Sequence, residues 1–593
     1  MDGGKRVWKR FELKKRSKTI QKHARRVEGV TSRHAHRFLI SRWDNIREVR
    51  LHIIFWMSGV GILIAIVGLQ MVWFQQSYVT QAAVSGGTYA EAVKGPITTL
   101  NPLFATTPAE LSASHLLFSS LYMNDTTGHI KGDVATTMTN DNDKVFTVNM
   151  RHDVRWHDGK PLTADDVVFT VGLMKNTAVR AVMSDSWQGI NVQKIDDYTV
   201  KFTLPATYAA FPQALTFAIL PQHLLKSVDP ASLREANYSS APIGSGPFKL
   251  RLLQTVSDAT GQKIIHMDAN DDYYGGRPRL DHLQLDAYSD DASIGTALKT
   301  GEVTGASDVA SDVAASLNKN RYSTVIRPVD NGVYAIFNTA NDILKDPAVR
   351  HALQIGTNTA AIRQQIYGHP QQLYLPFIPS EVIGSSAVGA PDYDVKAAST
   401  ALTLAGWMMQ KDGIRVKGSE KLDLHIVTPK NPDYEAALQE LVTEWHKLGV
   451  QVETQIFDTS DPSQNFSTDI LQQRNYDVLL DQLVIGGDPD VFAYWDSKGL
   501  LNFSNYSNQI SDDALSSART TSDLTLRSVK YVAFAKQWLL DAPAIGLYQS
   551  NYIYVHSKST EAIQPDETIV SGDDHFANVL DWTANQGTVY KTP

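Results

Sequence analysis

The longest apolar pattern in the chain is continuous and has no polar face. From Leu51 to Ala90 there is no Lys, Arg, Asp or Glu; Ile53–Leu69 reads IIFWMSGVGILIAIVGL, and Met71, Val72, Trp73 and Phe74 follow Gln70. About 20 such residues let a helix cross the hydrocarbon layer of a bilayer, so residues 51–74 are expected to form a transmembrane helix. Trp56 and Trp73 stand towards its ends, where aromatic rings favour the interface. The rival reading is a cleaved signal peptide, for which Thr80-Gln81-Ala82-Ala83-Val84-Ser85 offers small residues. A usual apolar core there has 7–15 residues and a short charged region before it. Both are exceeded here, which favours an uncleaved anchor.

Beyond the run, short periodic segments alternate. Val145–Met150 and Tyr198–Leu204 have the period-two pattern and composition of strands. Thr163-Ala164-Asp165-Asp166 before Val167, Val168 and Phe169 has the form of a capping box opening a helix. Helices are expected at Pro347–Thr357, Lys396–Ala405 and Tyr434–Leu448. The last ends at Gly449, and Val450–Phe457 then alternates as a strand; Arg474–Ile485 holds another, ending at Gly486-Gly487-Asp488-Pro489. Mixed helices and strands over this length mean α/β or α+β layers, not a helical bundle or a β-sandwich.

Charge changes the picture. The 593 residues carry a net charge of −8, yet residues 1–50 hold 16 Lys+Arg against 5 Asp+Glu, and the rest holds 39 against 58. A basic head directly before a membrane helix places that head in the cytoplasm and the acidic body outside. Val7, Trp8, Phe11 and Leu13 interleave with the basic residues, so the head reads either as a solvated tail or as an interfacial helix on anionic lipid. Its position against the membrane argues against nucleic acid, and His34 and His36 lack further metal ligands. Residues 75–87, small, polar and uncharged, read as a linker. There is no cysteine, which excludes disulfides, thiolate metal sites, catalytic thiols and lipidation through cysteine.

Enzyme motifs are absent. The chain has no G-x-x-x-x-G-K-[ST], H-E-x-x-H or G-x-S-x-G, and Gly59 and Gly61 lie inside the apolar run with no third glycine after them. His152, Asp153, His157 and Asp158 invite a metal reading, but their spacing fits a strand followed by a turn at His157-Asp158-Gly159-Lys160-Pro161. Asp141-Asn142-Asp143 lacks the glycine and distal glutamate of a calcium loop and reads as a hairpin turn. No catalytic group, metal or cofactor is expected.

Several strings together resemble the family 5 extracellular solute-binding proteins of ABC importers, the oligopeptide, dipeptide and nickel-binding group. Gly86-Gly87-Thr88-Tyr89-Ala90-Glu91-Ala92 leads into Leu100-Asn101-Pro102-Leu103-Phe104, and Leu117-Phe118-Ser119-Ser120-Leu121-Tyr122 follows. Arg151-His152-Asp153-Val154-Arg155-Trp156-His157-Asp158-Gly159-Lys160-Pro161-Leu162-Thr163-Ala164-Asp165-Asp166-Val167-Val168-Phe169 is close to the family signature. Pro242-Ile243-Gly244-Ser245-Gly246-Pro247-Phe248, Asp272-Tyr273-Tyr274-Gly275-Gly276-Arg277-Pro278, Phe337-Asn338-Thr339, Asp346–Leu353 and Ala405-Gly406-Trp407 continue the match in family order, from about residue 86 to 560. Much of this is backbone punctuation and encodes fold.

The resemblance implies an α/β, bilobal, periplasmic-binding-protein-like (type II, class C) ectodomain of three domains after one N-terminal transmembrane helix. The expected division is a cytoplasmic tail 1–50, helix 51–74, linker 75–87, domain I at 88–121 and 240–330, domain II at 122–239, domain III at 331–549, and a return to domain I with the tail at 550–593. Hinge closure of two lobes on a ligand is implied. In peptide-binding members a domain III aspartate before a D/E-P pair receives the ligand's α-amino group; here the pair is Asp488-Pro489 and Ile485 stands in the aspartate's place. Expected ligand-binding residues are Phe104, Thr106, Tyr122, Asn338, Ile485, Gly486, Gly487 and Asp488, with Trp187, Trp407, Tyr494 and Trp495 as aromatic walls. Core burial of each aromatic, and an Asx-turn role for Asp488, are the plainer alternatives. The implied function is capture of a peptide-like solute for an ABC permease and its ATPase subunits, without enzymatic activity or nucleic acid. A transmembrane sensor, or a receptor for a sugar, opine or chelated metal, are the alternatives.

Overall fold

The computed structural model describes residues 43–257, 262–378, 388–459, 465–564 and 566–590; the residues quoted from the basic head before Trp43 lie outside them. Two units separate. In the first, a helix runs over Trp43–Tyr78, longer than the apolar run itself. Its Val49–Phe74 part is long and apolar enough to cross a membrane, and its large side chains from Leu51 to Phe74 are exposed. A helix apolar on all sides has no face to turn to water, which is what a lipid environment requires.

The second unit spans Ala83–Gln586 and is organised by a ten-stranded mixed sheet. Its strands are β1 (Thr88–Lys94), β2 (Phe248–Ser257), β3 (Gln262–Ala269), β4 (His282–Tyr288), β5 (Gly305–Ala306), β6 (Tyr322–Phe337), β7 (Asp423–Pro429), β8 (Gln451–Phe457), β9 (Val478–Val484) and β10 (Ala544–Ser557), in the spatial order β8-β7-β9-β6-β10-β5-β1-β4-β3-β2. Two strands are long enough to belong to both ends of it. Tyr322–Pro328 of β6 pairs with Asn551–Ser557 of β10; after an irregularity, Gly332–Ile336 pairs with Ala544–Gln549, and Asn331–Phe337 also pairs with β9. Pro328 stands at the break, where its missing N–H interrupts the ladder least. These paired strands carry the chain between a lobe built on β1–β5 and a lobe built on β7–β9.

Each lobe has its own core. In lobe two the alternation of β6 sends Val333, Ala335 and Phe337 into one core and Tyr334 and Ile336 into another on the opposite face, the two-sided burial that makes such strands read as apolar runs. Helices Pro347–Ile355 and Pro432–Lys447 cover the first face, and Leu524–Asp541 the second. Lobe one carries a second, four-stranded antiparallel sheet made of Ala135–Asp141, Val145–Met150, Thr199–Thr203 and Asn191–Asp196. Helix Ala164–Lys175 packs there, opened by the Thr163–Asp166 capping box.

The two most distinctive strings of the sequence meet in space. The His157 amide donates to the Gly244 carbonyl at 2.8 Å, and the Gly244 amide donates to His157 Nδ1 at 3.2 Å. Nδ1 therefore accepts, so Nε2 carries the proton and donates to the Gly246 carbonyl at 3.0 Å. Burial pushes the imidazole down to about 4, from an unfolded value near 6.5. A depressed histidine favours the unfolded state as it charges, so this site's stability is intact above about pH 6.5 and is lost as pH falls towards 4. A loss of about 3 kcal/mol over that window is expected, and equilibrium denaturation of wild type and His157→Gln at pH 7 and pH 4.5 checks it. The glutamine variant should show the smaller loss; equal losses would remove His157 as the cause.

Candidate functional site

A cavity of about 790 Å³ opens in lobe one, within the range of small-molecule sites. Its wall draws on segments far apart in sequence: Thr106 from the loop before helix Pro108–Leu117, Tyr122 and Asn124 from a short strand, Val182 and Phe217 from the four-stranded part, and Ser571, Asp573 and Asp574 from the C-terminal segment. The turn Gly572–Phe576 is opened by a capping box between Ser571 and Asp574, which fixes those side chains. Asp574 accepts from the Ser571 amide at 2.6 Å and from Asn124 Nδ2 at 3.1 Å. Asn124 Oδ1 is buried with no hydrogen-bond partner among the described residues.

The electrostatics are uneven. Against its burial, His115 is held above its ordinary value by Asp573, whose Oδ2 lies 3.6 Å away, and by Asp574 and Asp133. Burial, then the charge of Asp573, raises Asp574; burial raises Asp133, which accepts a hydrogen bond from the Tyr274 hydroxyl. The wall thus holds Asp133 and Asp574 raised but Asp573 lowered, because against its burial it is paired with His115; Lys131 and Arg151 also line it.

Lobe two meets lobe one through residues 485–490. The Ile485 and Gly486 amides both donate to the Asp330 carbonyl at 3.0 Å, so this segment docks on the break in β6. A Cβ at Gly487 would lie 3.5–3.8 Å from Val570, Gln213 and the Gly128 carbonyl of lobe one. Arg519 joins the lobes beside it: its carbonyl accepts from the Ala209 amide at 2.9 Å, its guanidinium lies 5.1 Å from the Tyr208 ring, and its Nε donates to Asp490 at 2.9 Å.

Two lobes joined by paired crossing strands agree with the comparisons. The family model of bacterial extracellular solute-binding proteins, family 5 (middle region), matches residues 129–502, more than half of the chain. The chain belongs to family 5. It is 29% identical over 483 residues to the oligopeptide-binding protein AppA of Bacillus subtilis, covering 79% of this chain and 87% of that one. The structure of that protein with a nonapeptide superposes with a TM-score of 0.69 at 26% identity, over 85% of this chain and all of the other. NikZ of Campylobacter jejuni, solved with Ni(L-His), gives 0.69 at 25% identity over 84% of this chain and 99% of that one. The dipeptide-binding protein of Escherichia coli is 26% identical over 531 residues, 84% of this chain and 95% of that one. The chain is accordingly a substrate-binding protein of the ABC-importer type, with an extracytoplasmic bilobal domain.

Within this family 5 protein the expected site residues fall into two groups. Thr106 and Tyr122 line the cavity, and Ile485, Gly486 and Gly487 lie in the segment by which lobe two approaches lobe one. The others go elsewhere. Phe104 turns into the core under Arg234, 4.2 Å from its ring. Trp187 packs edge-on against Phe217 in lobe one at 5.1 Å. Trp407 and Trp495 are 2% and 1% exposed in the cores of lobe two, where Trp407 offers its carbonyl to Arg415 and Trp495 donates to the Pro376 carbonyl. Large rings bury more area there than on a wall, which decides their place. Tyr494 donates to the Val484 carbonyl at 2.7 Å, bracing β9. Asn338 holds the far end of β6, bonded to the Tyr476 carbonyl and to Asn505.

Asp488 also departs from the ligand role. Both its oxygens are taken at 2.6 Å by the fork of Arg527, a bidentate pairing that leaves little for a solute, while its Oδ1 accepts from the Asp490 amide as in an Asx-turn. Asn124, Ser571, Asp573 and Asp574 went unread in the sequence. The S-x-x-D spacing of Ser571 and Asp574 was a legible turn signal, but nothing local ties it to Asn124.

Proposed function

We propose that this protein holds its binding domain outside the cytoplasmic membrane by the helix over Val49–Phe74, captures a short peptide between its lobes, and delivers it to an ABC permease whose partner subunits hydrolyse ATP. The supporting observation is the cavity in lobe one, walled by oriented polar groups, together with residues 485–487 of lobe two, which dock on Asp330 at the break in β6 and approach lobe one there. Asn124 Oδ1 and the carboxylates suit the donors of a peptide: amide N–H groups and an ammonium. The chain does no covalent chemistry in this reading; the energy of closure is ligand affinity for the closed state. The basic residues before the helix favour an N-terminus in the cytoplasm.

The resemblance to AppA and to the dipeptide-binding protein favours a peptide; the resemblance to NikZ supports a chelated metal as the second reading. Thermal unfolding with peptide pools, and with nickel–histidine, separates them. A peptide at about 100 times its Kd should add about 2.7 kcal/mol of stability. Stabilisation by nickel–histidine and by no peptide pool would overturn the peptide reading. Co-purification of permease subunits with the full chain is expected; a signalling partner in their place would point to sensing.

A further inference from the structure

The hinge holds a carboxylate that the rest of the site does not use. Asp330 lies in the break between the halves of β6, half-buried. Its carbonyl accepts the Ile485 and Gly486 amides. Its carboxylate receives Gln549 Nε2 at 3.3 Å, a donor shared with the Val329 carbonyl at 3.1 Å. Among the described residues no cation pairs with it.

The other carboxylates of the C-terminal cavity wall and of the facing segment of lobe two are engaged. Asp488 is paired with Arg527, Asp490 with Arg519, Asp573 with His115, and Asp574 with Asn124 and Ser571. Asp481, half-buried like Asp330, accepts only the adjacent Gln482 amide among the described residues, but it stands within β9 opposite Tyr334 and not beside residue 485. Asp330 remains, directly beside Ile485, where an apolar side chain occupies the place of an ammonium-binding aspartate. A half-buried carboxylate without a cation is costly to keep, and a cation supplied by the ligand offsets that cost only when the ligand is bound.

Building on the peptide reading, we propose that Asp330 receives the ligand's cationic group, the ammonium of a peptide N-terminus, from the hinge and not from residue 485. Placed there, the charge pair forms at the point about which the lobes turn, so recognition of the amine and closure are one event.

Burial, and after it the charge of Asp574, pushes Asp330 up to about 7. Asp574 from the C-terminal segment is the charged group acting on it; Gln549 of β10 and the Ile485–Gly486 backbone contribute none. An ammonium binds the ionised form. Affinity for it should therefore rise with pH, roughly tenfold between pH 5.5 and 7, while the α-amino group stays protonated.

The test is calorimetric titration of the full chain in detergent with a free-amine tripeptide pool and with the same pool N-acetylated. Wild type is expected to prefer the free amine by about tenfold or more; Asp330→Asn should bring the two within about twofold and flatten the pH dependence. Ile485→Asp added to that variant should restore the preference, which a merely structural role of Asp330 would not do. An unchanged free-amine preference in Asp330→Asn, with wild-type melting, overturns the assignment alone. Binding of neither pool by wild type overturns the peptide reading and the assignment with it.

Discussion

Alanine at position 244 is expected to prevent the ectodomain from reaching its native packing. A Cβ on Gly244 would lie 1.8 Å from the Leu117 carbonyl oxygen, and one on Gly246 2.5 Å from that of Leu116. Neither obstacle is the end of a flexible side chain. Both belong to the last turn of helix Pro108–Leu117, whose Leu117 carbonyl accepts the Ser245 and Gly246 amides at 3.0 and 2.9 Å. The same stretch is clamped from the other side by His157, and Ser245 bonds Ser119 twice. Room for a methyl group would cost most of these bonds together, well above about 4 kcal/mol, at the upper end of single-substitution effects. Gly159→Ala is the control. Its φ is +86° with nothing within 4 Å of the added carbon, so only the backbone preference is lost, about 1 kcal/mol. Chemical denaturation of both variants decides it: comparable midpoints for the two would disprove the steric account.

Glu91→Ala should be the most damaging change in a polar side chain. Glu91 is 0% exposed on β1, and its oxygens accept from the Tyr554 hydroxyl of β10 and His575 Nε2, each at 2.8 Å. His575 is likewise 0% exposed and places Nδ1 2.6 Å from the Gly572 carbonyl, while Tyr554 meets the Tyr89 hydroxyl at 2.8 Å. Removing the carboxylate leaves a buried imidazole and a phenol facing a dry gap. Breaking one partner of a buried pair typically costs about 3–5 kcal/mol, and Glu91→Gln, which keeps an acceptor, should cost less. Because His575 sits in the turn that carries Asp573 and Asp574 to the cavity, ligand affinity should fall with stability although Glu91 touches no solute. A loss under about 1 kcal/mol in the unfolding curve would show that the network is not structural.

Local pattern carried the reading of elements well. Val145–Met150 is a strand with the expected ends, and the expected helices appear as Pro347–Ile355, Val395–Leu404 and Pro432–Lys447. Alternation and capping act over a few residues, so they can be read in order. The family strings fixed the bilobal fold because they encode turns and close approaches such as Gly244 against Leu117. The cavity wall was only partly legible. Thr106 and Tyr122 follow recognisable strings, but Asn124 and Asp574 are hydrogen-bonded across more than four hundred positions, and no local rule links them. The tryptophans misled for a related reason: a large ring serves a core and a ligand wall equally well, and only the three-dimensional packing around Trp187, Trp407 and Trp495 separates the two. Asp488 was legible as turn chemistry, yet its true partner, Arg527, came from a distant helix.

The course of the chain has a consequence for biogenesis. The cores of lobe two draw on residues from Val333 to Tyr548, one uninterrupted stretch, whereas the core of lobe one needs Tyr89 at one end and Trp582 at the other. A polypeptide emerging N-terminus first can therefore complete lobe two while lobe one still lacks Tyr554, His575 and Trp582. During that interval β1 stays unsealed, with Glu91 waiting for partners, and the lobe that bears the cavity is the last to mature. Truncation near the C-terminus should accordingly spare lobe two and leave lobe one open to proteases.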